Sequence, residues 1–332
     1  MELRKVQLTG GSSITVTLPK PWIEKSKIQA GDVVGCSEQP DGSLAIHPRI
    51  KGERPIQAYE FEAAGGSDPL FRQIVAAYLM GYDSIKVTSR RPLAPELRAT
   101  IRHAVRRIMG LEIVDEQPSS VTIQDFLDPR EFQIEKALRR MTVLTQSMQE
   151  EAVAFIRKPP TTPTADDRDD EIDRLYWLVN KQFHAILRDS TYASKMNINA
   201  SQALNYLLAA RLVERTADHA DRIAKQAHSI PRNKLPESMV DRLEKQARRA
   251  MESFQLALQI FFRKNVAQAN ELISDVEKFL PSQERLIRDA AELGGETVAH
   301  LSFIIESIGR TAAYAEDICE VAINHVVASD AP

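Results

Sequence analysis

Short alternations of apolar and polar residues dominate the first fifty positions. From Ser13 to Leu18 every second residue is apolar, which is the spacing of a strand with one covered face. Pro19 and Pro21 then open a short helix. Strands are predicted at 3–9, 13–18, 33–36 and 43–47, with a hairpin turn at 40–42. A unit of this size, residues 1–50, encloses little core alone, so we expect two copies to pair.

Between residues 58 and 127, strand patterns alternate with helical patterns. Strands are predicted at 59–63, 83–88, 111–115 and 121–123, and helices at 68–80 and 95–109. This alternation is typical of a small α/β connecting domain. Its second helix carries Arg98, Arg102 and Arg106 on one side. That side could contact an anionic partner or could be the solvated face of an amphipathic helix, and the apolar residues opposite favour the solvated face.

The remaining chain is helical in pattern and contains an internal repeat. Thirteen residues from Arg215 return 95 positions later (310 minus 215) from Arg310, with six identities. Helices are predicted at 132–156, 170–190, 199–228, 238–264, 267–291 and 297–327, separated by proline-bearing segments that include 159–164 and 231–236. Self-similarity of this length predicts two three-helix bundles in tandem, at 130–230 and 236–328.

Composition narrows the possible classes of protein. Charged residues make up 27% of the chain and the net charge is -3, so a role with nucleic acid must depend on a local basic patch. Only two cysteines occur, and they form no metal-binding motif. The N-terminus lacks an apolar signal segment, and no apolar run approaches the ~20 residues that span a bilayer. We therefore expect a soluble cytoplasmic protein without membrane insertion.

The N-terminal segment resembles a known family of DNA-binding domains. The run from Ser13 to Lys20 (SITVTLPK), followed by Trp22 and by residues 28–34 (IQAGDVV), is similar to AbrB/SpoVT-type swapped-hairpin domains. This resemblance implies a β-barrel formed by a homodimer that binds DNA through basic residues. Residues 1–54 hold eight Lys or Arg and six Asp or Glu, a net charge of +2. The candidate DNA contacts are Arg4, Lys5, Lys20, Lys25 and Lys27; alternatively, these are solvated charges of a module that only dimerises.

The repeated helical segment carries acidic residues at helical spacing. Glu214, Asp218 and Asp221 lie at i, i+4 and i+7, and Asp169 and Asp173 lie at i and i+4 on the preceding helix. The stretch 214–220 (ERTADHA) and the duplication resemble the PhoU family of phosphate-signalling helical proteins. That resemblance implies a divalent metal of the iron or zinc class, held by Asp169, Asp173, Glu214, Asp218 and Asp221. Alternatively, these acids are solvated or favour helix N-termini.

The second copy of the repeat lacks most of these acids. Gly309 stands where the first copy has Glu214, and Ala313 stands where it has Asp218. Ile273 and Glu277 correspond approximately to Asp169 and Asp173, and Glu316 corresponds to Asp221. Glycine and alanine offer no ligand atoms, so any metal is expected in the first bundle only.

This order of domains resembles the archaeal phosphate uptake regulators. The resemblance implies a DNA-binding transcriptional regulator of phosphate uptake and homeostasis, whose helical bundles sense or relay phosphate status. One alternative is an adaptor that does not bind DNA and docks on a phosphate transporter or a signalling kinase. A less favoured alternative is a metal-dependent phosphohydrolase that uses Asp169, Asp173, Glu214 and Asp218. No nucleophile and base are arranged as a catalytic motif, so we do not expect an enzyme.

Overall fold

The computed structural model describes residues 2–38, 42–48, 56–128, 131–159, 167–188, 190–231 and 235–330. The chain divides between Pro55 and Ile56 into two compact units. The predicted turn at 40–42, loop at 159–164 and linker at 231–236 lie partly outside the described residues.

The first unit contains two antiparallel hairpins and a short helix. Its elements are β1 (Gln7–Thr9), β2 (Ser13–Thr15), α1 (Lys20–Ser26), β3 (Gly35–Glu38) and β4 (Leu44–His47). β1 pairs with β2 and β3 pairs with β4. Pro19 immediately precedes α1, where a missing amide N–H costs nothing, and Lys27 ends the helix in the left-handed conformation. The predicted order of strand, helix and hairpin is present, with shorter strands.

None of the described residues of this first unit is buried. Seven of its apolar side chains are at least half exposed: Leu3, Val6, Leu8, Ile14, Val16, Val33 and Leu44. Leu8 lies directly opposite Ile14 in the first hairpin, so the two side chains share one face. The described part of this unit therefore has no hydrophobic core within a single copy.

The second unit begins with a four-stranded sheet and two helices, which we call the α/β layer. Its elements are β5 (Ala58–Glu62), α2 (Ser67–Leu79), β6 (Ser84–Thr88), α3 (Pro95–Arg107), β7 (Leu111–Gln117) and β8 (Ser120–Asp125). The strand order is β5-β6-β8-β7, with β5 and β6 parallel and the other pairs antiparallel. Alternate residues of β6 and β8 are buried in a core shared with the helices, as the pleat of a strand requires.

Helices form the rest of the described chain. They are α4 (Ile134–Arg157), α5 (Asp167–Arg188), α6 (Ser190–Met196), α7 (Ala200–Ser229), α8 (Glu237–Arg263), α9 (Val266–Phe279), α10 (Pro281–Ala291) and α11 (Gly295–Asp330). We call α4–α7 the first repeat and α8–α11 the second repeat. The multidomain fold class predicted from the sequence, with a β head, an α/β domain and a helical region, is confirmed. None of the described helices is both long enough and apolar enough to cross a membrane.

Two details of the helical region differ from prediction. The predicted helix at 267–291 is divided into α9 and α10, because Pro281 has no amide N–H to continue the hydrogen bonding and occupies a first-turn position. The short helix α6 was not predicted. It comes immediately before Asn199, whose side chain begins α7 with a capping box completed by Gln202.

The two repeats share one continuous hydrophobic core. Helix α7 packs along α11, and α4 packs against α8. His219 of α7 and Tyr314 of α11, which are 95 positions apart, have ring centroids 5.7 Å apart. Contact between equivalent positions of two copies is the mark of an isologous interface. The repeats therefore pack against each other through corresponding surfaces.

Candidate functional site

The basic residues predicted to contact DNA are all exposed on the first unit. Arg4 and Lys5 precede β1, Lys20 and Lys25 lie on α1, and Lys27 ends that helix. Arg4 pairs with Glu2 at 2.5 Å, and Lys20 lies 3.9 Å from Glu24 one helical turn away. Exposed pairs of this kind contribute little, so the basic side chains are available to a polyanion.

The five acidic residues singled out in the sequence lie on two adjacent helices. Asp169 and Asp173 belong to α5, and Glu214, Asp218 and Asp221 belong to α7, which packs along α5. We call these five residues the carboxylate cluster. The periodicity of the two helices thus brings together the side chains that sequence spacing identified.

Burial and mutual repulsion raise the pKa values of four residues of the carboxylate cluster. The pKa of Glu214 rises to about 7, because the side chain is half-buried and is repelled by Asp218 and Asp173. Desolvation, together with repulsion by Asp169, raises the pKa values of Asp173 and Asp218 to about 6. Burial and repulsion by Asp221 also raise the pKa of Asp169. The negative charge here is only partly compensated, so the cluster favours a cation.

Two cationic side chains of the protein already contact the cluster. Arg107 of α3 donates to Asp173 at 2.7 Å and also contacts the adjacent Asp170 at 2.6 Å. Lys225 pairs with Asp221 at 2.5 Å, one turn along α7. Sequence reasoning missed the role of Arg107, because 66 residues separate it from Asp173 and no local pattern connects them.

A metal ion does not fit the carboxylate cluster as it is arranged here. Across the described residues, no group of three His, Cys, Asp or Glu side chains is placed to hold a metal ion. Arg107 and Lys225 occupy oxygen atoms of two of the five predicted ligands. The iron- or zinc-class ion therefore remains a prediction.

The second repeat carries a smaller group of acids at the corresponding place. The pKa of Glu316 is raised by burial and by repulsion from Glu277. These two residues are the counterparts of Asp221 and Asp173. Gly309 and Ala313 lie where Glu214 and Asp218 lie in the first repeat, so the two sites are chemically different.

His219 and two arginines of α3 have structural roles. His219 hydrogen-bonds with Ser307 between α7 and α11 (Nδ1 to Oγ, 3.1 Å), and burial and the neighbouring Arg222 lower its pKa. Arg98 and Arg102 of the basic α3 stripe both contact Glu116 of β7, at 2.5 and 3.0 Å. The first two arginines of that stripe therefore attach α3 to the neighbouring strand.

Two family models match parts of this chain. Residues 138–227 match the family described as PhoU domain, and residues 7–55 match the family described as Antidote-toxin recognition MazE, bacterial antitoxin. No curated protein and no solved structure matches the chain.

These matches define a modular fusion protein. Its head is a MazE/AbrB-like domain that covers the first unit, and its first helical repeat is a PhoU domain that extends from α4 into α7. The predicted fusion of these two families is confirmed. The second repeat lies outside the matched range.

Proposed function

We propose that this protein is a dimeric, DNA-binding regulator of phosphate uptake and phosphate homeostasis. The observation that carries the proposal is the surface of the head, where exposed apolar side chains accompany exposed lysines in a MazE/AbrB-like domain. The PhoU domain that follows the head in the sequence supports the link to phosphate. In this proposal, the helical repeats sense or relay phosphate status to the head.

The exposed apolar residues of the head support pairing with a second copy. Leu8, Ile14 and Val33 are each more than 70% exposed, and each would contribute about 1.5–3 kcal/mol if it became fully buried. A unit without a core gains stability when a second copy covers these side chains. Pairing also doubles the number of basic residues that can face one DNA molecule.

The basic residues supply the sequence-independent part of DNA binding. Each Lys or Arg that neutralises a DNA phosphate releases counterions, so DNA affinity falls steeply as salt rises. Lys20 of α1 and Lys27 at its end have one copy in each protomer. Loss of one of these contacts should therefore remove two phosphate contacts from a dimer.

A salt series with the intact chain tests DNA binding. We expect the slope of log K against log salt to become shallower by about 1.8 for each lysine removed, from about 0.9 for each of two copies. Suitable variants are Lys20→Gln and Lys27→Asn, since asparagine tolerates the left-handed backbone at residue 27. Lys245→Gln, an exposed position on α8, is the matched control and should leave the slope unchanged.

The pathway is tested by capturing DNA fragments bound to the intact protein across a genome. Enrichment of promoters of phosphate-transport genes is the expected result. Binding that is absent or insensitive to salt, with normal behaviour of both lysine variants, would contradict the proposal. That result would instead favour an adaptor that docks on a phosphate transporter or signalling kinase.

A further inference from the structure

One position that is identical in both copies of the internal repeat is exposed. Six of thirteen residues are identical when the segment that begins at Arg215 is aligned with the segment that begins at Arg310. Five of the six identical positions are buried in both copies, at Thr216, Ala217, Ala220, Ile223 and Ala227 and at Thr311, Ala312, Ala315, Ile318 and Ala322. Packing of the helical core accounts for those five positions. It does not account for the arginine, because Arg215 and Arg310 are both exposed.

The two arginines lie on adjoining outer faces of α7 and α11. Arg215 and Arg222 are seven residues apart, so they lie on the same side of α7. Phe303 and Arg310 are likewise seven residues apart and lie on the same side of α11. The guanidinium carbon of Arg222 lies 4.6 Å from the centre of the Phe303 ring. This contact shows that the two outer faces form one continuous surface.

The antiparallel register of α7 and α11 places the two arginines beside each other. Nδ1 of His300 donates to Oε1 of Gln226 at 2.7 Å, and His219 hydrogen-bonds with Ser307 at 3.1 Å. Seven residues back along α7 therefore correspond to seven residues forward along α11. One further turn in the same direction reaches Arg215 on α7 and residues 310–312 on α11.

The positive charges of the two arginines act on the same neighbouring groups. Burial lowers the pKa of His219, and nearby positive charge that includes both Arg310 and Arg215 lowers it further. Burial raises the pKa of Asp317, and the same two arginines oppose that rise. Two side chains from different helices that act on the same two groups lie close together, in agreement with the register of α7 and α11.

Neither arginine is compensated by an opposite charge in contact with it. Arg222, two turns along α7, pairs with Glu306 at 3.5 Å. Arg215 and Arg310, in contrast, form no ion pair and no hydrogen bond with any side chain in the part of the chain that the structure describes. Two neighbouring guanidinium groups repel each other, so this place on the surface favours an anion.

The nearby acids interact with other groups. Asp317 lies within reach of the charge of both arginines but forms no ion pair among the described residues. Glu214 and Asp218, which neighbour Arg215 on α7, interact with the acids of α5 in the carboxylate cluster. The second copy has no acid at either of those two positions, yet it retains the arginine. The arginine therefore does not serve only to neutralise the carboxylate cluster.

We propose that Arg215 and Arg310 form an oxyanion site between the two repeats, and that this site binds a phosphate group. A guanidinium presents parallel N–H groups in one plane, which match two oxygen atoms of a phosphate. A phosphate dianion also offsets the repulsion between the two cations. The choice of phosphate among oxyanions rests on the proposed role in phosphate homeostasis. A bound phosphate links α7 of the first repeat to α11 of the second.

Titration calorimetry of the intact chain with inorganic phosphate tests the site. Ionic strength is held constant with KCl, so that screening alone produces no signal. We expect one phosphate for each chain, and an affinity at least about tenfold lower in Arg215→Gln and in Arg310→Gln, because each change removes charge-assisted hydrogen bonds. Arg285→Gln, an exposed position on α10, is the matched control and should bind as the wild type does. Unchanged affinity in either variant would overturn the proposal.

Thermal unfolding separates a ligand site from a structural role of the arginines. Without phosphate, Arg310→Gln should melt no lower than the wild type, because the change removes repulsion and breaks no bond. Phosphate should raise the melting temperature of the wild type, since it binds the folded state, and should not raise that of either variant. Variants that melt lower without phosphate but are still stabilised by it would show a structural role and would overturn the site.

A parallel titration with AMP identifies the source of the phosphate group. Tighter binding of inorganic phosphate indicates the free ion and tighter binding of AMP indicates a phosphate ester, and either result supports the site. Absence of binding by both would overturn it. That failure is distinct from failure of the proposed function, because the salt dependence of DNA binding depends on Lys20 and Lys27 of the head. A normal salt slope without anion binding would remove only the oxyanion site.

Discussion

The substitution Ile14→Asp gives the most direct test of pairing through the head. Ile14 lies in the centre of β2, opposite Leu8, and the two side chains are 72% and 71% exposed in a single copy. If a second copy covers this face, an aspartate at position 14 places a carboxylate where an apolar side chain was buried. The single chain should tolerate the change, since none of the described residues around it is buried.

The expected rise in the dimer Kd of Ile14→Asp follows from the apolar area that pairing covers. Burial of a whole isoleucine side chain contributes about 1.5–3 kcal/mol, so covering its exposed part contributes about 1–2 kcal/mol in each copy. A two-fold dimer contains the position twice, which gives a loss of about 2–4 kcal/mol. Desolvation of two carboxylates adds to this loss. At 1.4 kcal/mol for each factor of ten, the dimer Kd should rise at least about 30-fold.

Sedimentation velocity over a concentration series measures the dimer Kd of the intact chain. Ser13→Asp, one position away on the other face of β2, is the matched control and should leave dimerisation unchanged. DNA affinity of Ile14→Asp should fall at protein concentrations where the wild type is dimeric. An unchanged Kd for Ile14→Asp would refute pairing through this face.

Three further predictions concern stability. Burial and the nearby Lys264 lower the pKa of His325 to about 4, so the folded protein resists protonation that the unfolded chain accepts near its usual value of about 6.5. Stability should therefore fall by roughly 3 kcal/mol as pH drops from about 6.5 to about 4, and thermal melts of His325→Phe should lack this component. Gly110→Ala should lower the free energy of unfolding in urea by at least about 2 kcal/mol, because Gly110 has a φ of +82° and a Cβ there would lie 2.4 Å from Cβ of Leu127. The control Gly66→Ala should lower it less, because Gly66 has a φ of +90° but open space around it. Asn199→Ala removes the capping box of α7 and should cost about 1 kcal/mol by the same urea assay.

Local patterns of the sequence predicted which residues share a helical face and which segments are strands. The i, i+4 and i+7 spacing of Glu214, Asp218 and Asp221 places these acids on one side of α7 at any tertiary arrangement, because the helix fixes their angles. The 95-residue repeat likewise indicated that the helical unit is built twice. Alternation in the head indicated strands, although the strands are shorter than predicted.

Other features depended on contacts that local patterns do not contain. A continuous apolar pattern predicted one helix across Pro281. In the structure α9 ends at Phe279 and α10 begins at Pro281, because proline has no amide N–H to continue the helical hydrogen bonding. The sequence predicted two three-helix bundles in tandem, and only the structure adds that the two repeats share a core through α7 and α11. The spacing within each helix does not reveal which helix of the other repeat will cover its apolar side.

The sequence by itself determined the class of the protein: the order of its domains, its duplicated helices and the residues of its carboxylate cluster. Each of these depends on spacings of a few residues or on direct repetition. Only the tertiary structure decided what neutralises that cluster. Arg107 and Asp173 belong to different layers of the fold and meet because α5 packs against the α/β layer, and the strength of their contact depends on distance and burial, which chain spacing does not set.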